Sequence, residues 1–122
     1  DGAIEAPFLL RRGGYYYLFT SLDYCCRGPQ STYKLVVGRA RALTGPYLDQ
    51  AGTPLEQGGG TLLLQGDADW YGVGHNAVAS FDGTDYLVFH GYDAHDKGRP
   101  KLRIEALSWS AEGWPAVVPA PK

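Results

Sequence analysis

Two residues of this 122-residue chain stand where proton transfer or ion binding becomes feasible. Glu5 lies in the apolar run Ile4 to Leu10, and His75 follows Gly72-Val73-Gly74 ahead of Asn76-Ala77-Val78. A carboxylic acid held protonated can deliver a proton to a leaving oxygen, and an imidazole can ligate a metal or carry a proton. The bland alternatives are a solvated edge carboxylate for Glu5 and a hydrogen-bonded core histidine for His75.

Cys25 and Cys26 are adjacent. Their Cα atoms must lie about 3.8 Å apart, too close for an ordinary staple, and the spacing is not the C-x2-C of a zinc site. They read as two half-buried free thiols, with a strained vicinal disulfide as the alternative. His90, Asp93, His95 and Asp96 are close in sequence, yet His90 falls in a strand and Asp93 to Gly98 in its turn, so surface turn chemistry is expected. Asp67 and Asp69 read as solvated loop residues. Tyr16, Phe19, Trp70 and Tyr71 could stack on the rings of a ligand, but at strand spacing they are expected in the core. Asp23 to Arg27 ends a strand where it could reach a cleft.

The elements that must position these groups are strands. Apolar runs at Ile4–Leu10, Tyr15–Ser21, Tyr33–Ala40, Thr61–Gln65, Ala77–Phe81, Tyr86–Tyr92, Leu102–Trp109 and Pro115–Val118 are separated by Gly- and Pro-rich breaks. No segment predicts a helix. The runs form two sets of four: Gly13-Gly14-Tyr15 to Phe19 aligns with Gly83-Thr84 to Phe89, Lys34-Leu35 with Lys101-Leu102, and Gly45-Pro46 with Gly113-Trp114-Pro115. A four-stranded unit repeated after about 70 residues suggests propeller blades, with a β-sandwich as the structural alternative. The expected division is one blade over 1–68 and a second over 69–122. The offset places Glu5 and His75 at equivalent innermost positions, converging near the axis.

Seventeen Gly, nine Tyr, four Phe, three Trp and no Met suit strands joined by tight turns. A net charge of −2 carries no basic footprint, so nucleic acid is not an expected partner. No apolar run reaches the roughly 20 residues needed to span a bilayer, so no membrane role is expected, and no signal peptide is seen. The chain opens at Asp1 without Met, which suggests that its true start lies upstream.

The segments Ile4-Glu5-Ala6-Pro7-Phe8, Gly14-Tyr15-Tyr16-Tyr17-Leu18-Phe19, Tyr24-Cys25-Cys26-Arg27-Gly28, Ser31-Thr32-Tyr33-Lys34, Val37-Gly38-Arg39 and Thr44-Gly45-Pro46-Tyr47 occur in order. Gly58-Gly59-Gly60-Thr61, Gly72-Val73-Gly74-His75-Asn76, Lys101-Leu102-Arg103-Ile104 and Gly113-Trp114-Pro115 complete the series. This succession resembles glycoside hydrolase family 43, specifically the endo-1,5-α-L-arabinanases, over almost the whole chain. The resemblance implies an all-β fold of two four-stranded blades belonging to a five-bladed propeller. It implies a secreted enzyme that cleaves arabinan or arabino-oligosaccharides with inversion, one carboxylic acid protonating the leaving oxygen and a carboxylate base activating water. The glutamate of Glu-Ala-Pro, here Glu5, is the general acid of that family. The histidine of Gly-x-Gly-His, here His75, sits at its axial metal site, commonly calcium.

The family's catalytic base, and a second aspartate that tunes the acid, both precede the Glu-Ala-Pro segment. Only four residues precede Glu5, so the chain alone is expected to be inactive or nearly so. Two blades would also expose strand edges and an apolar face, so a homo-oligomer or pairing with missing N-terminal blades is expected. A non-catalytic carbohydrate-binding assembly and a purely structural fragment are the competing readings.

Overall fold

The structure, a computed structural model, describes residues 2–118. Eight strands form: β1 Ile4–Arg12, β2 Tyr15–Leu22, β3 Lys34–Ala40, β4 Thr61–Leu64, β5 Trp70–Phe81, β6 Thr84–Asp93, β7 Arg99–Trp109 and β8 Pro115–Val117. They make two four-stranded antiparallel sheets, β1-β2-β3-β4 and β5-β6-β7-β8, each a meander of the propeller-blade type. The β1–β2 and β5–β6 hairpins turn on Gly13-Gly14 and Asp82-Gly83, all four residues at positive φ, as tight two-residue hairpins demand.

The sequence pattern finds all eight strands but begins β5 at Ala77, seven residues late. The missed part, Trp70 to Asn76, contains Gly72 and Gly74, whose lack of side chains breaks the alternation that marks a strand. His75 therefore lies in the middle of its strand.

One face of the first sheet packs against one face of the second. Leu35 joins Val73, Leu87, Phe89 and Leu107 in one buried cluster. Tyr17, Phe19, Val37 and Trp114 form a second, with Phe8, Leu10, Val78 and Trp109 against it. Fully burying such a side chain is worth about 1.5–3 kcal/mol, so these rows hold the two blades together. Farther out, Arg39 stacks between the rings of Tyr15 (4.0 Å) and Trp114 (4.4 Å) and donates to the Glu112 carbonyl oxygen at 2.6 Å.

The repeat has a constant offset of 69 residues through the first two strands of each sheet: Glu5 matches Gly74, Ser21 matches His90, and Phe19 matches Val88. The offset corrects the expected equivalence by one position: His75 matches Ala6, not Glu5. In the first sheet the cross-strand row Phe8–Phe19–Val37 lies beneath the second sheet, with Phe19 and Val37 wholly buried. Its counterpart in the second sheet, Ala77–Val88–Ile104, has no covering layer among the described residues, and Ile104 and Leu102 are 56% and 73% exposed.

Candidate functional site

Glu5 and His75 are placed by matching β-bulges. In β1 the pairing passes from Glu5–Ser21 to Phe8–Phe19, leaving Ala6 and Pro7 as the extra segment. In β5 it passes from Gly74–His90 to Ala77–Val88, leaving His75 and Asn76. Ala6 and His75 adopt φ values of 55° and 58°, the left-handed region that bulges use to re-aim side chains. Both Glu5 and His75 are exposed as a result.

Beneath them lies a buried polar layer. Ser21, wholly buried, accepts the His75 backbone N–H on its Oγ at 2.7 Å. Tyr33, which immediately precedes β3 and is 1% exposed, donates its hydroxyl to Glu5 Oε2 at 2.5 Å. The Tyr33 carbonyl in turn accepts the Val73 N–H at 3.1 Å, tying the two sheets together at this point. His90, on β6, lies 5.8 Å from the Tyr33 ring and 6.4 Å from the His75 ring, centre to centre. Its Nε2 is 3.0 Å from the Tyr92 hydroxyl, which accepts the Cys26 N–H at 2.8 Å.

Burial, and then the hydrogen bond to Glu5, push the Tyr33 phenol well above the ordinary tyrosine range. Burial and the neighbouring His75 hold the His90 imidazole down, and Glu5 acts in the opposite sense. Glu5, Tyr33, His75 and His90 thus form one patch drawn from both sheets. His90 escapes a reading of sequence distance because its proximity to Glu5 depends on the sheet-to-sheet packing. The 69-residue offset from Ser21 is the signal that could have found it.

Beside the patch opens a cavity of about 420 Å³ lined by Ala6, Pro7, His75, Asn76, His90 and others. The Asn76 side chain is 5% exposed, and both of its amide atoms lack a partner among the described residues. A larger cavity, about 550 Å³, lies at the far end of the first sheet between Tyr15, Arg39 and the 41–52 loop, away from Glu5.

Cys25 and Cys26 are joined as a vicinal disulfide, and no described cysteine is free, which corrects the expectation of two thiols. The pair sits in a tight turn, with Cys26 at φ 67°. The remaining acidic and histidine groups stay apart from the patch. His95 pairs with Asp69 at 2.7 Å on the surface, and Lys101 bridges Asp93 and Asp96 at 3.1 and 2.9 Å. Phe19 is core, and Trp70 carries the Arg103 guanidinium over its ring.

Among the described residues no three His, Cys, Asp or Glu converge to hold a metal ion. His75 offers one nitrogen, whereas calcium takes about six to eight oxygens. The groups present do not by themselves fit calcium.

A buried tyrosine thus presents an exposed glutamate where the two sheets meet. The chain belongs to glycosyl hydrolases family 43, whose model matches residues 2–115. It is 56% identical over 114 residues to an extracellular exo-α-(1→5)-L-arabinofuranosidase of Cellvibrio japonicus, covering 93% of this chain and 33% of that protein. It is 49% identical over 115 residues to an extracellular endo-α-(1→5)-L-arabinanase of Bacillus subtilis, covering 94% of this chain and 34% of the relative. Among solved structures, the α-L-arabinanase of Cellvibrio cellulosa complexed with arabinohexaose superposes with a TM-score of 0.92 at 56% identity, over 94% of this chain and 36% of that one. The chain therefore spans about a third of the length of these relatives.

Proposed function

We propose that the chain supplies the acid half of an inverting arabinan-hydrolysing site, with Glu5 as the proton donor to the leaving glycosidic oxygen. The single observation that supports this most is the exposed Glu5 carboxylate held by a hydrogen bond from a buried tyrosine, beside His75 and His90. Such a group can reach a substrate oxygen while its orientation stays fixed. Hydrolysis also needs a base across the sugar, and the family resemblance puts that base in a segment preceding Glu-Ala-Pro. We therefore propose that this chain cuts arabinan only when joined by further blades, and that the whole acts outside the cell on internal α-1,5 linkages.

The row Val88–Ile104, half-buried at Val88 and exposed at Ile104, with exposed Leu102 beside it, supports the partner half of the proposal. The equivalent row of the first sheet is buried by a neighbouring blade, so this one is the natural seat of another blade, from the same polypeptide or a second copy. Calcium enters only as an ion for which His75 would give one ligand and water or other blades the rest, and no step of the mechanism is routed through it.

The test is hydrolysis of linear arabinan by the chain alone, by the chain with added N-terminal blades, and by the Glu5→Gln variant of each. Sugar release that needs the added blades and is lost in Glu5→Gln is the expected result. Equal release by Glu5→Gln would remove Glu5 from the acid role. Mixed oligosaccharide products mark internal cuts, and arabinose or one short product marks cutting from chain ends. Light scattering on the chain alone reads self-association, and a monodisperse, stably folded monomer would sink the second-copy variant of the partner reading.

A further inference from the structure

We propose that Tyr33 is the positioning residue of the Glu5 carboxyl group, and that Gly74 lacks a side chain because the Tyr33 ring occupies its place. The inference rests on the reading of Glu5 as proton donor.

Glu5 is exposed and sits on β1, an edge strand of its sheet, where an unrestrained carboxyl would sample several rotamers. Tyr33 is the opposite: 1% exposed, with its hydroxyl aimed out at Glu5 Oε2. Contacts on several sides fix it. Its carbonyl accepts the Val73 N–H, its ring lies 5.8 Å from that of His90, and its ring edge lies over Gly74. A Cβ built at Gly74 would overlap the Tyr33 ring carbons and stand 2.9 Å from Cζ. Any side chain there would push the phenol away from Glu5, and Gly74 is the residue that the repeat places opposite Glu5 in the other blade.

The chemistry gives the bond a direction. As Glu5 delivers its proton to the leaving oxygen, its carboxyl gains negative charge, and the bond from Tyr33 becomes charge-assisted and stronger. Tyr33 keeps its own proton throughout; only the Glu5 proton moves. An interaction that strengthens as the reaction proceeds raises kcat more than it lowers KM.

The experiment has two arms. In the chain itself, NMR should find the Tyr33 hydroxyl proton as a slowly exchanging downfield resonance, absent in both Tyr33→Phe and Glu5→Ala. Persistence of that resonance at an unchanged shift in Glu5→Ala overturns the contact, whatever the protein hydrolyses. In the assembly that cleaves linear arabinan, Tyr33→Phe should lower kcat about tenfold or more, with KM within about twofold, while the melting temperature stays near wild type. Gly74→Ala should show the same split with Tyr33 intact. Unchanged kcat in Tyr33→Phe, or a loss carried wholly by KM, overturns the positioning role and leaves Tyr33 a packing residue. If no assembly cleaves arabinan, the acid reading of Glu5 falls, and the hydroxyl resonance still decides the contact.

Discussion

Ala6 and His75 occupy the same bulge of two successive blades, 69 residues apart and within 3° of each other in φ. The fold thus reuses one backbone irregularity to bring out a carboxylate in one blade and an imidazole in the next. Left-handed φ at a non-glycine residue carries strain of about 1–2 kcal/mol. Replacing Ala6 by Val should therefore destabilise the chain by about 1–2 kcal/mol in urea titration. Ala6→Gly should be neutral or gain up to about 1 kcal/mol.

Ser21 holds the second bulge through its buried Oγ, which accepts the His75 N–H. Ser21→Ala leaves that donor without its partner and should cost about 1–2 kcal/mol by urea titration. Asn76→Ala, at a side chain whose amide has no partner among the described residues, should cost less than Ser21→Ala, because no bond is lost with it.

Asp49 accepts backbone N–H groups from Thr53 and Gly60 at 2.8 and 2.9 Å, and from Ala51 at 3.0 Å. These donors, that of Gly60 first, hold its carboxyl below the usual value of 3.8. Below that value the unfolded chain binds more protons than the folded one, so the stability Asp49 provides is present above about pH 4 and lost on further acidification. Melting curves should fall in that window for wild type and fall less steeply there for Asp49→Asn.

A thiol reagent should find no reactive cysteine in the folded chain before reduction and two afterwards. The bridge closes almost no loop, so in the chain-entropy model it contributes about 1 kcal/mol. Reduction should lower the melting temperature by no more than about 5 °C. Two thiols before reduction would restore the free-cysteine reading.

With a single imidazole in place of a cage of oxygens, the chain alone should not respond to calcium. One millimolar calcium, or excess chelator, should leave its melting temperature within about 1 °C, since only binding to the folded state shifts it. A clear rise with calcium that is lost in His75→Ala would show that His75 holds the ion with ligands from elsewhere.

The sheets were legible because hairpin glycines and alternating runs such as Tyr17, Phe19 and Ser21 are local signals. Glu5 and His75 stood out through the repeat and the motif series. What escaped was whatever depends on one sheet meeting the other. Gly72 and Gly74 disguised the start of β5 because their small size answers Ser31 and Tyr33, some 40 residues earlier. His90 was read as a strand residue that need not converge with anything, because its distance from Glu5 is set by that same meeting. The cysteine pair was misjudged since its state depends on the local turn conformation, which the sequence spacing alone does not fix.

The Arg39 clamp lies outside the wedge that the two sheets form, joining Tyr15 on β2 to Trp114 and Glu112 in the β7–β8 turn. A ring of wedges closes only when their tapers sum to a full circle, and the taper is set by how tightly neighbours are drawn together at the rim. Trimming Arg39 removes both ring contacts and the bond to the Glu112 carbonyl, and so should loosen the two sheets at that end. The angle between the two sheets is thus held, at the end away from Glu5, by a cation lodged between two rings.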